Sequence, residues 1–434
     1  MSPETTGIVG IAVLLFLFLL RMPVAFAMTF VGAAGFAYLA GFEPALTLMA
    51  QDIYESFSSY SLSVIPMFIL MGSFAFASGI SQRLYKTTNA WVGHFKGGLT
   101  IATVLACAGF AAICGSTAAT AATMGKIALP EMKKYKYSDR LATGTVAAAG
   151  TLGILIPPST VLIVYGILTE ESIGKLFVAG LLPGVILSLF FVATVAFLCF
   201  RNPKLGPPAA PTSFREKVKA AGGIFEAVIL FLLAIGGLFL GWFSPTQAGA
   251  IGAGGALLIG LIRGKLTWQS FFESGKEGLL TGCMVLFIIT GAIVFGHFMA
   301  ISAIPFLLAD WVGSLPLPRL AIMGVIIFIY FIGGFFMDSM ALIVVTIPIF
   351  FPLVQKLGYD PIWFGVIIVL VAEMGVITPP VGVNVFVIKG IAPDIPLNTI
   401  FRGILPFLVA LIILTIIITF FPQIATFLPS LITY

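Results

Sequence analysis

The chain has 434 residues, 60% of them hydrophobic and only 9% charged. A soluble domain carries about 25% charged residues, so a water-soluble fold is excluded and the solvent of this chain is lipid. The formal net charge of +5 then reads as a topology signal and not as a nucleic-acid footprint.

A helix spans the hydrocarbon core with about 20 apolar residues. In chain order such runs fall at about 7–20, 23–41, 61–80, 140–166, 173–200, 222–242, 247–262, 278–302, 362–388 and 399–425. The first is short enough to imitate a signal peptide. However, Pro3 and Glu4 precede it in place of a basic segment, and no small-residue cleavage site precedes Arg21, so a retained helix is expected. Segments 43–60 and 264–277 mix aromatic and aliphatic residues with charges; interfacial helices and ordinary loops both fit them. Two longer apolar blocks, 98–131 and 318–352, have small or polar residues at their centres and fit poorly as single spans.

Lys and Arg set the orientation. With Arg21 in the cytoplasm and the spans threaded alternately, segments 83–96, 133–140, 201–219, 263–276 and 389–402 all fall inside. Only Lys175, Arg319 and Lys356 of the 22 basic residues then lie outside. The threading requires each long block to enter and leave on one side, the first from the cytoplasm and the second from the periplasm. Each is therefore expected to be a re-entrant hairpin, a backbone tolerated at membrane depth only when buried in protein or lining a cavity. Both termini are expected in the periplasm.

The halves repeat. GTLGILIPPSTVLIVYG (150–166) resembles EMGVITPPVGVNVFVIK (373–389), with Gly153 on Gly375, Pro157 on Pro379 and Pro158 on Pro380 at a constant offset, 375 − 153 = 222. The same offset aligns Ala119 with Ala341, Pro130 with Pro352 and Tyr137 with Tyr359, and sets Ser116–Thr117 on Asp338–Ser339. The expected fold is an all-α polytopic membrane protein of two inverted-topology repeats, each with a re-entrant helical hairpin and a discontinuous helix, as in secondary transporters.

The chemistry concentrates at the hairpin tips and helix breaks. Gly115, Ser116 and Thr117 fall at the first tip, whereas Thr120 and Thr123 read as a helix-packing face. Thr151, Gly153, Pro157, Ser159 and Thr160 surround the first break. Two consecutive prolines remove two amide donors and bar a continuous helix. The freed carbonyls suit a desolvated hard cation, which takes oxygen ligands, and the restarting helix points its positive end at the same centre. Met337, Asp338 and Ser339 form the second tip, and Gly375, Thr378, Pro379 and Asn384 the second break. Asp338, an intramembrane carboxylate, could ligate sodium, carry a proton or cap a helix; Glu373 is an alternative proton site. Glu226 is expected to snorkel or pair locally, and His94 and His297 lack metal-ligand spacing. The four cysteines read as small buried hydrophobes. No GxxxxGK[ST] motif is present, so no metal-nucleotide cofactor and no ATP hydrolysis are expected of this chain.

RMPVAFAM (21–28), GSTAATAATMG (115–125), LPEMKKYKY (129–137), GTLGILIPPS (150–159), FMDSMALIVVTIPIFFP (336–352) and GVITPPVGVN (375–384) together resemble the large, DctM-like membrane subunit of tripartite ATP-independent periplasmic (TRAP) transporters, over essentially the whole chain. The resemblance implies an elevator-type fold of the ion-transporter superfamily. Its scaffold would comprise 1–92 and 220–312, its transport domain 98–200 and 318–426, and its cytoplasmic linker 201–219. It implies sodium-driven import of an organic acid, such as a C4-dicarboxylate or a sialic acid, across the bacterial inner membrane. The implied partners are a separate small four-helix membrane subunit and a soluble periplasmic substrate-binding protein. Carried onto this sequence, sodium would bind at Gly115, Ser116, Thr117, Thr151, Gly153 and Pro157, and at Met337, Asp338, Ser339, Gly375, Thr378 and Pro379. Substrate would lie near Ser116, Ser159, Thr160 and Asn384. A stand-alone carboxylate carrier of the same superfamily is the alternative, although its Ser-Asn-Thr tips differ from the Gly-Ser-Thr and Met-Asp-Ser found here.

Overall fold

The computed structural model describes residues 1–432, and among them there are helices and no β-strand. The first half contains α1 (Pro3–Leu19), α2 (Val24–Ala40), α3 (Phe42–Ser58), α4 (Val64–Ala77), α5 (Ile80–Val92), α6 (Gly98–Cys114), α7 (Thr117–Lys134), α8 (Asp139–Gly150), α9 (Leu152–Leu155), α10 (Thr160–Thr169) and α11 (Ile173–Arg201). The second contains α12 (Phe214–Phe231), which runs through a π-helical turn into α13 (Gly237–Phe239), then α14 (Pro245–Ile262), α15 (Trp268–Ile301), α16 (Ile304–Ser314), α17 (Arg319–Gly333), α18 (Ser339–Lys356), α19 (Pro361–Val376), α20 (Val383–Ile391), α21 (Leu397–Phe420) and α22 (Gln423–Ser430).

Among the described residues, seven helical stretches are long and apolar enough to cross a membrane, or eight if the bent pair Phe42–Ser58 and Ser61–Ala77 counts as one. Large apolar side chains such as Phe200 and Leu19 are mostly exposed, as lipid-facing residues are. Local signals set the ends. Ser116, Ser159 and Asp338 accept backbone N–H bonds as N-caps of α7, α10 and α18, satisfying amides that an α-helix leaves orphaned. Pro245 and Pro361 stand at the first positions of α14 and α19, where a missing N–H costs nothing.

The offset of 222 governs the whole helix plan. α7 and α18 coincide at both ends (339 − 117 = 222 and 356 − 134 = 222), and α8 and α19 begin in register (361 − 139 = 222). α2 and α14 also correspond, as do the ends of α5 and α16 (314 − 92 = 222). The packing is reciprocal: α10 lies on α18, and its mate α20 lies on α7. The pair α8 and α21 is likewise matched by α19 and α11. Such exchange is what a two-fold relation between repeats produces.

One departure is local. Segment 43–60 is mostly the separate helix α3, bent 56° from the stretch that follows, whereas most of 264–277 is the start of the 34-residue α15. Asp52 of α3 meets His297 of α15, Oδ1 to Nε2 at 3.3 Å, which gives His297 an interface role. Glu226 does not pair locally. Its carboxylate is held by Arg83 of α5 (Nε–Oε2 2.7 Å) and by Arg263 after α14 (Nε–Oε1 2.6 Å). It thereby ties helices from both halves. Cys107, Cys114 and Cys199 are buried, but Cys283 is exposed.

Candidate functional site

At the first tip the chain turns between α6 and α7. Gly115 takes a left-handed φ of 65°, which glycine adopts without the Cβ penalty. A Cβ there would also lie 2.8 Å from the Pro158 carbonyl oxygen, so the tip fits only as a bare backbone against the first break. Thr160 fastens it, donating from its amide (3.3 Å) and its hydroxyl (2.9 Å) to the Gly115 carbonyl. Gly153 is equally confined: its Cβ would stand 2.5 Å from the Ser116 carbonyl oxygen and 2.8 Å from Thr120 Oγ1.

Oxygen atoms therefore converge where the first tip meets the first break. The Thr120 hydroxyl among them is buried and meets the Cys114 thiol. A thiol is a weak hydrogen-bond partner, and the hydroxyl oxygen keeps lone-pair capacity that a hard cation with oxygen ligands would use. The residues present thus fit a small monovalent ion. Thr120, which reads as a packing residue in the sequence, lies one helical turn beyond Ser116 and packs against Gly153. Thr151 is buried and bonded to its own helix at the Ala148 carbonyl, 2.6 Å. Pro157 precedes Pro158 by a cis bond, as Pro379 does Pro380.

The second tip and break are built alike but covered differently. Asp338 caps α18, its Oδ1 accepting from the Ala341 amide at 3.0 Å. Gly375 packs directly on the Gly334 backbone, and the Thr378 hydroxyl donates to the Met374 carbonyl. Residues 156–159 are all buried, whereas Asp338, Pro379, Pro380 and Val381 are exposed and Met337 and Thr378 are half-buried.

A cavity of about 690 Å³ separates Met22–Phe26, Gly72 and the Glu277–Thr281 region of α15 from Ser116, Thr160 and Asp338. Ser116 and Thr160 meet at its wall. Ser159 and Asn384 do not reach it: Ser159 is fully buried and caps α10 through Leu162 (3.2 Å). Asn384, also fully buried, donates to the Ala147 carbonyl of α8 at 3.0 Å and so stitches the two halves together. The charged residues lining the cavity are Lys126, Glu277 and Asp338. Lys126 was not singled out in the sequence. Its signal is spacing: Ser116, Ala119, Thr123 and Lys126 recur every three or four residues, and all four line the cavity as one face of α7.

Residues 11–424 match the family described as the tripartite ATP-independent periplasmic transporter, DctM component. The chain is 39% identical to the C4-dicarboxylate TRAP transporter large permease protein DctM of Pseudomonas aeruginosa, over 92% of this chain and 93% of that protein. It is 33% identical to the sialic acid TRAP transporter large permease protein SiaM of Vibrio cholerae, over 94% and 95%. It is 32% identical to the ectoine/5-hydroxyectoine large permease protein UehC of Ruegeria pomeroyi, over 92% of each. Among solved structures, the YdaH transporter of Alcanivorax borkumensis superposes with a TM-score of 0.67 at 15% identity, covering 88% of this chain and 89% of that one. MtrF of Neisseria gonorrhoeae does so at 0.58 and 16%, covering 96% and 94%. These two likenesses are of fold.

Proposed function

The chain belongs to the DctM component family of tripartite ATP-independent periplasmic transporters, a large permease and not an enzyme, and from that premise we propose that it imports an organic acid across the bacterial inner membrane on an inward sodium gradient. The relatives named for C4-dicarboxylates and sialic acid favour a carboxylate as cargo. A small four-helix membrane subunit and a periplasmic binding protein complete the transporter in this reading.

Sodium is cargo, held where tips meet breaks: at Gly115, Ser116, Thr117, Thr151, Gly153 and Pro157, joined by Thr120, and at Met337, Asp338, Ser339, Gly375, Thr378 and Pro379. The observation that supports this is the crowding of the Ser116 carbonyl and the Thr120 hydroxyl around Gly153, where a Cβ would stand 2.5 and 2.8 Å from the two oxygens. The acid binds along the cavity wall at Ser116 and Thr160, with Lys126 as its countercharge. Ser159 and Asn384 shape that wall from behind.

By the charge threading, the cavity opens to the cytoplasm. Met22 lies just after Arg21, and the cavity-facing parts of α7 and α15 lead to the basic ends at Lys133 and Lys276. The second hairpin, entering from the periplasm, points its exposed tip inward; the first points outward and is covered. That is the expected arrangement of an inward-open state. In an elevator cycle, 98–200 and 318–426 slide as one body against 1–92 and 220–312.

The test is uptake in liposomes holding the chain with its small subunit and binding protein. Accumulation of an organic acid should require an inward sodium gradient. Uptake unchanged when choline replaces sodium at constant pH would contradict sodium coupling.

A further inference from the structure

Glu373 belongs to neither set of site residues, yet it lies between them. It is buried, 2% exposed, near the end of α19 and two residues before Gly375. Its Oε2 accepts from Thr117 Oγ1 at 3.1 Å, and its Oε1 accepts from Ser339 Oγ at 2.8 Å. Thr117 is the first residue of α7 and Ser339 the first of α18. They are repeat mates (339 − 117 = 222), one from each hairpin tip. The carboxylate thus sits where the two inverted tips meet and spends one oxygen on each. Its own mate, Thr151, does nothing comparable; that hydroxyl turns back to Ala148 of its own helix. The repeat is symmetric in its donors and asymmetric in its acceptor.

Three consequences follow from chemistry. Two neutral hydroxyls are the carboxyl's partners and no cation is paired with it among the described residues, an expensive arrangement for the charged form inside a membrane. The two helix N-termini at the same point offset part of that cost. A cation held at one tip fixes that tip, and the carboxyl, bonded to both, holds the other tip in place, so that less ordering is left for the second ion.

We propose that Glu373 is a positioning residue that couples the two ion-binding tips, tying Thr117 to Ser339 so that both load sodium together. This rests on the sodium reading above. Glu373 acts through the two hydroxyls and is not itself counted among the ion's ligands.

Two readouts test it. One is the sodium concentration dependence of uptake in liposomes, with its half-saturation and Hill coefficient. The other is the sodium-induced rise in melting temperature of the purified chain without substrate. Glu373→Gln keeps the shape and removes the charge. It should raise half-saturating sodium about tenfold, within the usual range of coupling between sites, lower the Hill coefficient toward one, and shrink the melting shift. Thr117→Val and Ser339→Ala should each reproduce part of this effect. A Glu373→Gln protein with unaltered half-saturation, cooperativity and melting shift would overturn the proposal. Should that variant not fold, the hydroxyl variants decide by cooperativity: a Hill coefficient lowered toward one in both supports coupling, and a raised half-saturation with an unaltered Hill coefficient in either overturns it. An unaltered chain insensitive to sodium in both readouts would remove the sodium reading itself, a result distinct from failure of Glu373→Gln alone.

Discussion

The first hairpin and break, and the second hairpin and break, share a register of 222 residues and a doubled proline but not a surrounding. Residues 156–159 are buried, and the first tip is clamped by Thr160 and backed by Gly72, whose added Cβ would come within 3.2 Å of Cys114. The second tip and break expose Asp338, Pro379, Pro380 and Val381. Two units of related sequence thus sit in different surroundings, one covered and one uncovered. What distinguishes them is which face of the bundle each points toward, together with a few substitutions between the copies.

Gly115 is the sharpest of these substitutions, because its mate is Met337. Gly115→Met should reduce uptake by about a hundredfold or more, since a misplacement of about 1 Å suffices for that. The reverse change, Met337→Gly, removes a half-buried side chain and adds no clash, so it should be tolerated better. Comparable losses from both would mean that the first tip is no more confined than the second.

Accessibility gives the next largest effect. In a Cys283→Ser background, Val381→Cys should react with a thiol reagent at least about ten times faster than its mate Ser159→Cys, because reactivity follows exposure. Equal rates would place both breaks in the same surroundings. Lys126→Met should raise the half-saturating acid concentration roughly tenfold, or about 1.4 kcal/mol. An unchanged value would remove Lys126 from the acid's path. Smallest are the caps. Ser159→Ala and Asp338→Ala should each cost about 1 kcal/mol of stability, the usual worth of an N-cap, whereas Asp338→Asn retains the cap. Thermal unfolding of the purified chain would measure all three.

The repeat was legible because proline and glycine carry position. Pro157 with Pro158, and Pro379 with Pro380, leave a mark that apolar drift cannot erase, and the helix ends follow the same offset from α2 to α20. Charge counting likewise separated the blocks that became α6–α7 and α17–α18. Other features depend on distance in space and left little trace. The bond from Asn384 to Ala147 spans 237 residues and the pair Arg83–Glu226 spans 143. Lys126 does not stand out in the sequence, because a lysine on a helix is ordinary until a cavity is known to lie beside it. Segments 43–60 and 264–277 looked alike in composition; a bend after Ser58 and an unbroken α15 separated them.

The most direct test of the inverted repeat is sidedness. Lys134 ends α7 and its repeat mate Lys356 ends α18. With Cys283→Ser as background, Lys134→Cys and Lys356→Cys should each be modified by an impermeant thiol reagent, the first only from the cytoplasmic face and the second only from the periplasmic face. Modification of both from one face would contradict the inverted arrangement and, with it, the account of one covered and one uncovered hairpin built upon it.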